Sequence, residues 1–129
     1  MIAEVLLAVH ITGVVGWGGL STGGYYVLKS CGGGCYGRYR RLVYLQFASA
    51  LAVFATGLAL AVVRYGFPRS PLWIHASLGI ALAIGVVELA HIWVAEEGLQ
   101  HYEKYVRIFI PLWTAGYLAM IYLMIFKPF

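Results

Sequence analysis

Pro71-Leu72-Trp73-Ile74-His75-Ala76-Ser77-Leu78-Gly79-Ile80-Ala81-Leu82-Ala83-Ile84-Gly85-Val86-Val87-Glu88-Leu89-Ala90-His91-Ile92-Trp93-Val94-Ala95 contains no lysine or arginine and a single carboxylate. Its apolar residues neither alternate, as in a half-buried strand, nor keep to one face. A run of about 20 such residues crosses the hydrocarbon core of a bilayer as a helix. Three more runs of this kind cover 2–28, 41–63 and 106–126. Polar and turn residues collect between them, at Lys29 to Arg41, Arg64 to Arg69 and Glu96 to Lys104. Short breaks make consecutive helices antiparallel neighbours. The expected fold is all-α: one domain over 1–129, a four-helix transmembrane bundle running up-down-up-down. The runs are too long for barrel strands, and no repeat relates the two halves, so an inverted-repeat transporter has no support.

Composition agrees. Of 129 residues, 62% are hydrophobic and 11% charged. A water-soluble domain carries about a quarter charged residues, so lipid is the expected outer solvent. The first run lacks a basic leader and is too long for a signal-peptide core, so it is expected to be retained as a helix. The net charge of +4 comes from bases lying between apolar runs. That is the pattern of membrane loops rather than of a nucleic-acid surface. With the N-terminus outside, the inner face holds Lys29, Arg38, Arg40, Arg41, Lys104 and Arg107, and the outer face Arg64, Arg69 and Lys127. Bases favour the cytoplasmic side, so a multi-pass protein of the cell membrane with both termini outside is expected.

Polar groups inside lipid are expensive and tend to be functional. Here they are His10, Gln46, Ser49, Thr56, His75, Glu88 and His91, with Thr114, Tyr117 and Tyr122 in the last run. No lysine or arginine sits mid-run, which counts against a retinal Schiff base and a voltage sensor. His10 precedes Lys29 by 19 residues and His75 precedes Glu96 by 21. On parallel helices rising about 1.5 Å per residue, the two imidazoles differ by about 3 Å in depth. Two neutral imidazoles at one depth can ligate a haem iron from opposite faces. Each could instead hydrogen-bond a neighbouring carbonyl or hydroxyl. Gly13 and Trp17 share the face of His10, and Gly79 and Leu82 that of His75. The glycines would leave room for a porphyrin edge, and an aromatic ring could pack on it. The first run is glycine-rich, with Gly13, Gly16, Gly18, Gly19, Gly23 and Gly24. Helix packing through Gly19-x-x-x-Gly23 accounts for part of that pattern, and a homo-oligomer is compatible with it.

The stretch His10-Ile11-Thr12-Gly13-Val14-Val15-Gly16-Trp17-Gly18-Gly19-Leu20 resembles the first-helix motif of a superfamily of small haem-associated membrane proteins. These include the CopD-type copper-resistance proteins and the HemJ-type protoporphyrinogen oxidases. The glycine three residues after the histidine and the tryptophan seven after it match, while the closing Gly-Gly-Leu comes one position early. The HemJ third helix opens Trp-x-His-x-Lys. Here Trp73-Ile74-His75-Ala76-Ser77 keeps the Trp and the His and puts Ser77 in place of the Lys. The resemblance covers two of the four helices. It implies haem b, with His10 and His75 as iron ligands and Gly13, Trp17 and Gly79 around the ring. Ser77 cannot replace the charge of that Lys, which counts against the oxidase activity without touching haem ligation.

Glu88 and His91 form a Glu-x-x-His pair, but a di-iron centre needs two such pairs and further carboxylates. His91 is rotated by about 160° from His75 on a straight helix. It stands as an alternate haem ligand, as a proton relay with Glu88 toward a quinone, or as a hydrogen-bonded interfacial histidine. Cys31-Gly32-Gly33-Gly34-Cys35 lacks the spacing and histidine of a c-type haem site and the further ligands of a zinc site. A small disulfide and a turn with two free thiols are equal readings. With Met1, Met120 and Met124 the only methionines, copper transport has little support. The expected function is a haem b cytochrome exchanging electrons with quinone or a partner redox subunit. A HemJ-like oxidase and a non-catalytic CopD-like subunit are the alternatives.

Overall fold

A computed structural model describes residues 1–129. It consists of four helices: α1 (Ile2–Ser30), α2 (Tyr36–Tyr65), α3 (Leu72–Glu96) and α4 (Leu99–Phe126). All four are long and apolar enough to cross a membrane, and none of the chain forms a strand. At about 1.5 Å per residue, even α3 with its 25 residues exceeds a hydrocarbon core of about 30 Å. The chain is therefore an all-α, multi-pass membrane bundle. Each helix packs chiefly on its neighbour in sequence, while α1 and α4 touch only lightly.

Only 26 of the 129 residues are buried, so most of the apolar surface faces outward. Val15, Leu82, Val86, Leu89, Trp93, Leu118 and Ile125 are all more than half exposed. An apolar surface of this extent is a liability in water and suits lipid. The buried residues follow heptad-like stripes: His10, Gly13, Trp17, Ser21, Gly24 and Leu28 in α1; Tyr39, Val43, Gln46, Val53 and Leu60 in α2; Ile84, Glu88, His91 and Ala95 in α3; Tyr102, Val106, Phe109, Trp113 and Met120 in α4. Steps of three and four residues keep one seam turned inward.

Two helices begin earlier than their apolar runs. α2 starts at Tyr36 rather than 41, and α4 at Leu99 rather than 106. The added turns are amphipathic. Arg38, Arg40, Glu103 and Lys104 point outward, while Tyr39 and Tyr102 are buried. Charge ends an apolar run without ending a helix, and these turns extend the bundle past the hydrocarbon toward water.

Gly13 sets the α1–α2 approach. A Cβ there would lie 2.9 Å from Val53 Cγ2 and 3.4 Å from the Ser49 carbonyl oxygen. Gly19 and Gly23 touch nothing in the chain, so the Gly19-x-x-x-Gly23 pair plays no part in packing within the bundle. Gly13→Ala should destabilise the bundle by about 1–3 kcal/mol through overpacking. Gly19→Ala and Gly23→Ala should stay within about 0.5 kcal/mol. Thermal unfolding of the three variants in detergent checks this. Equal losses at all three positions would show that the approach is not set at Gly13.

The turn between α1 and α2 is closed by a Cys31–Cys35 disulfide with Cα atoms 6.1 Å apart. Gly32 and Gly33 have φ of 60° and 83°, a region open to glycine at little cost. At Gly33 a Cβ would also meet Leu99 Cδ2 at 2.6 Å, so the turn lies against the start of α4. The bridge closes so short a loop that its entropic contribution is at most about 2 kcal/mol. The Cys31→Ser/Cys35→Ser double variant should therefore melt only slightly below the parent and bind the same ligands. Loss of a bound chromophore from that variant would show that the turn belongs to a binding site.

Candidate functional site

The buried polar groups gather in two places. The first is the middle of the bundle. Glu88 is fully buried, and its carboxylate joins three helices. Trp17 Nε1 of α1 donates to Glu88 Oε1 at 2.8 Å, and Gln46 Nε2 of α2 donates to Oε1 and Oε2 at 2.9 and 3.1 Å. Heptad spacing puts Trp17, Gln46 and Glu88 on the inward seam of their helices. Burial of a carboxylate is tolerated when donors surround it. One turn on, His91 Nδ1 lies 3.8 Å from Glu88 Oε2, beyond hydrogen-bonding distance. His91 Nε2 lies 2.8 Å from the Tyr102 hydroxyl, which is hydrogen-bonded to the Tyr39 hydroxyl. Trp113 packs edge-on to His91 at 4.6 Å between centroids, and Phe109 at 5.6 Å. The histidine is thus walled in by aromatic rings and has no exposed surface. These rings occupy its surroundings, and its Nε2 is engaged by Tyr102.

The second place surrounds His10, near the other end of the bundle. Its Nδ1 lies 3.0 Å from Thr56 Oγ1. The Thr56 hydroxyl has one proton and donates it to the Ala52 carbonyl at 2.5 Å. A hydroxyl that donates there accepts from His10 Nδ1–H, an assignment that leaves the lone pair on Nε2. That nitrogen has no hydrogen-bond partner and is not sealed off. Gly57 makes room for the ring, since a Cβ there would lie 3.1 Å from His10 Cε1. His10 borders a half-open, largely apolar cleft of about 250 Å³, together with Trp73, Ser77, Met120, Met124 and Lys127. Lys127 Nζ stands 5.5 Å over the Trp73 ring at its edge.

The residues expected to share a haem with His10 are placed elsewhere. His75 does not border the cleft. Its Nε2 is 3.3 Å from Ser70 Oγ, and its ring lies 5.2 Å from that of Phe67. The cleft is lined by Ile74, Ser77, Leu78 and Ala81, whose common face is turned about 110° from His75 at 100° per residue. Gly79 is exposed and faces no neighbour. Gly13 is spent on the contact with α2, and Trp17 on Glu88. The equal depth of His10 and His75 does not bring them to one space, because depth fixes height along the bundle and not rotation about the helix axis. A porphyrin is also larger than the cleft as it stands, since ligand sites of that class run to about 300–1,000 Å³. His10 fits the part of an iron ligand; His75 and Gly79 do not fit in this arrangement. No cluster of three or more His, Cys, Asp or Glu side chains is present.

A further cleft, about 320 Å³, opens between α2 and α3. Phe47, Leu51, Phe54, Leu82, Val86 and Leu89 form most of its walls, and Trp17 and Glu88 its floor. Leu51, Leu82, Val86 and Leu89 are more than half exposed on the lipid-facing side.

Tyr39, Tyr102 and Gly57 were not among the expected site residues. The two tyrosines lie in turns that charge had excluded from the helices, although Tyr39, Val43 and Gln46 keep the spacing of one inward face. Gly57 carries no sequence signal apart from following Thr56. Compared with known protein families, characterised proteins and solved structures, the chain matches none.

Proposed function

We propose that this protein is a haem b protein of the cell membrane that carries electrons to or from a lipid-soluble quinone or a partner redox subunit, with His10 as the residue that would hold the iron. The observation that carries the reading is the 3.0 Å contact between His10 Nδ1 and the Thr56 hydroxyl, with Nε2 left at the cleft. Metal-bound histidines commonly hold their second ring nitrogen in a hydrogen bond that fixes proton and orientation, and Thr56 supplies that bond. The unpartnered Nε2 borders an apolar cleft, and Lys127 offers a cation for a carboxylate-bearing ligand. The resemblance of His10, Gly13 and Trp17 to the first-helix motif of haem-associated membrane proteins points the same way. Bound there, haem would supply one-electron chemistry, and His10 would hold it. Seating it requires the cleft to widen toward lipid.

The α2–α3 cleft suits the apolar ring of a quinone, with Trp17 and Glu88 beneath as the polar groups. Ser77 donates to the Trp73 carbonyl at 2.9 Å and brings no charge to the His10 cleft, so porphyrinogen oxidation is less favoured. The basic excess beside the Cys31–Cys35 turn favours the cytoplasm for that end and the outside for both termini. A visible spectrum of protein purified from haem-replete cells tests the reading. Reduced-minus-oxidised haem b bands at about one haem per chain are expected. Colourless protein that takes up no added haemin overturns it.

A further inference from the structure

Glu88, His91, Tyr102 and Tyr39 form a line of proton-carrying groups from the middle of the bundle toward its Cys31–Cys35 end. Every member of this line is buried. Trp17 and Gln46 face Glu88 only as donors and cannot pass a proton on. Phe109 and Trp113 flank His91, and Trp113 Nε1 bonds to nothing. The Tyr36 hydroxyl is committed to the Ala95 carbonyl. His91 Nδ1 is buried without a hydrogen-bond partner and faces Glu88 Oε2. A purely structural histidine in so costly a position would be expected to have both nitrogens satisfied.

The line can run in either sense, because each hydroxyl donates once and accepts. In one sense Tyr39 donates to Tyr102, Tyr102 donates to His91 Nε2, and His91 holds its proton on Nδ1 toward an ionised Glu88. In the other, Glu88 is protonated, His91 Nε2 donates to Tyr102, and Tyr102 donates to Tyr39. Passing from the first to the second moves the Nδ1 proton to Glu88, the Tyr102 proton to Nε2 and the Tyr39 proton to Tyr102. One proton from water at the loop end replaces that of Tyr39. One proton enters and one arrives on Glu88, with no net change in the groups between.

We propose that Tyr39, Tyr102 and His91 are a proton path connecting the Cys31–Cys35 end of the bundle to Glu88, under the lipid-facing cleft between α2 and α3. This deepens the redox reading, since reduction of a quinone-class molecule in that cleft takes up protons that lipid cannot supply. The 3.8 Å step between His91 and Glu88 is the gate. The two side chains sit one turn apart on α3, and a shift of about 0.6–1 Å brings them into hydrogen-bonding range.

The test needs neither haem nor quinone. Glu88 is the only buried carboxylate, the other four glutamates being exposed. Its protonated carbonyl stretch can therefore be followed by infrared spectroscopy in lipid vesicles and assigned by its loss in Glu88→Gln. On transfer to D2O the band should shift promptly in the parent. It should shift roughly a hundredfold more slowly in Tyr102→Phe and Tyr39→Phe, the factor a positioned proton carrier ordinarily supplies. Trp113→Phe should exchange as the parent does. Parental rates in both tyrosine variants overturn the path. So does equal slowing in Trp113→Phe, which would trace the effect to packing, or the absence of any protonated Glu88 band. Tyrosine-dependent exchange in a protein that binds no haem would overturn the haem reading and leave the path standing.

Discussion

Replacing His10 with alanine is expected to abolish haem retention, with the visible bands falling to the baseline of the unloaded protein. The imidazole supplies the only lone pair that a buried histidine holds free at a cleft, and alanine leaves no donor there. Thr56→Val should weaken retention by roughly 10–100-fold, the usual effect of removing the group that orients a metal-bound histidine. Gly57→Ala should act in the same direction by pushing on the ring. His75→Ala should retain most of the haem, because Ser70 and Phe67 hold His75 away from the cleft. Absorption spectra and haem-to-protein ratios of the four variants check the set. Retention in His10→Ala together with loss in His75→Ala would move the ligand to α3 and the site out of this cleft.

The largest loss of stability is expected at Glu88. Glu88→Ala removes the common acceptor of Trp17 and Gln46 and leaves both donors buried and unpaired, alongside a cavity. Two buried donors left unpaired beside a cavity cost about 3–5 kcal/mol together. Glu88→Gln keeps one carbonyl acceptor but turns an amide toward the Gln46 amide, and should cost about 1–3 kcal/mol. Trp17→Phe and Gln46→Ala probe the same bonds, so their losses should add less than fully to that of Glu88→Ala. Denaturation in detergent followed by helical circular dichroism gives the order. A Glu88→Ala protein within about 1 kcal/mol of the parent would show that this carboxylate does not tie α1, α2 and α3 together. The fully apolar alternative, with all three groups replaced, should recover part of the loss, because desolvation is then no longer left uncompensated.

How much of this was legible in the chain differs by residue. The four membrane helices were, because a run such as Pro71 to Ala95 has one physical solution in lipid: every backbone polar group must be satisfied within the segment. That His10, Thr56, Gln46, Glu88 and His91 are polar groups within the apolar runs was legible too, since a polar side chain there stands out. Their grouping was not. In a soluble helix the apolar stripe marks the inward face. A helix in lipid is apolar all round, so that marker vanishes and the rotation of each helix cannot be read. His75 looked suited to share a haem with His10 for this reason, and Gly79 looked like clearance although it faces outward. Charge also hid the first turns of α2 and α4, and with them Tyr39 and Tyr102.

The sequence by itself determined the solvent, the number of helices and the few residues able to do chemistry, because each follows from the cost of placing polar groups in hydrocarbon. Only the tertiary structure decided that Glu88 gathers Trp17 and Gln46 while His10 and His75 part company. That choice rests on interhelical packing, on contacts such as Gly13 against Val53 and Gly116 against Ile84, and such contacts between distant residues fix rotations that no single apolar helix encodes.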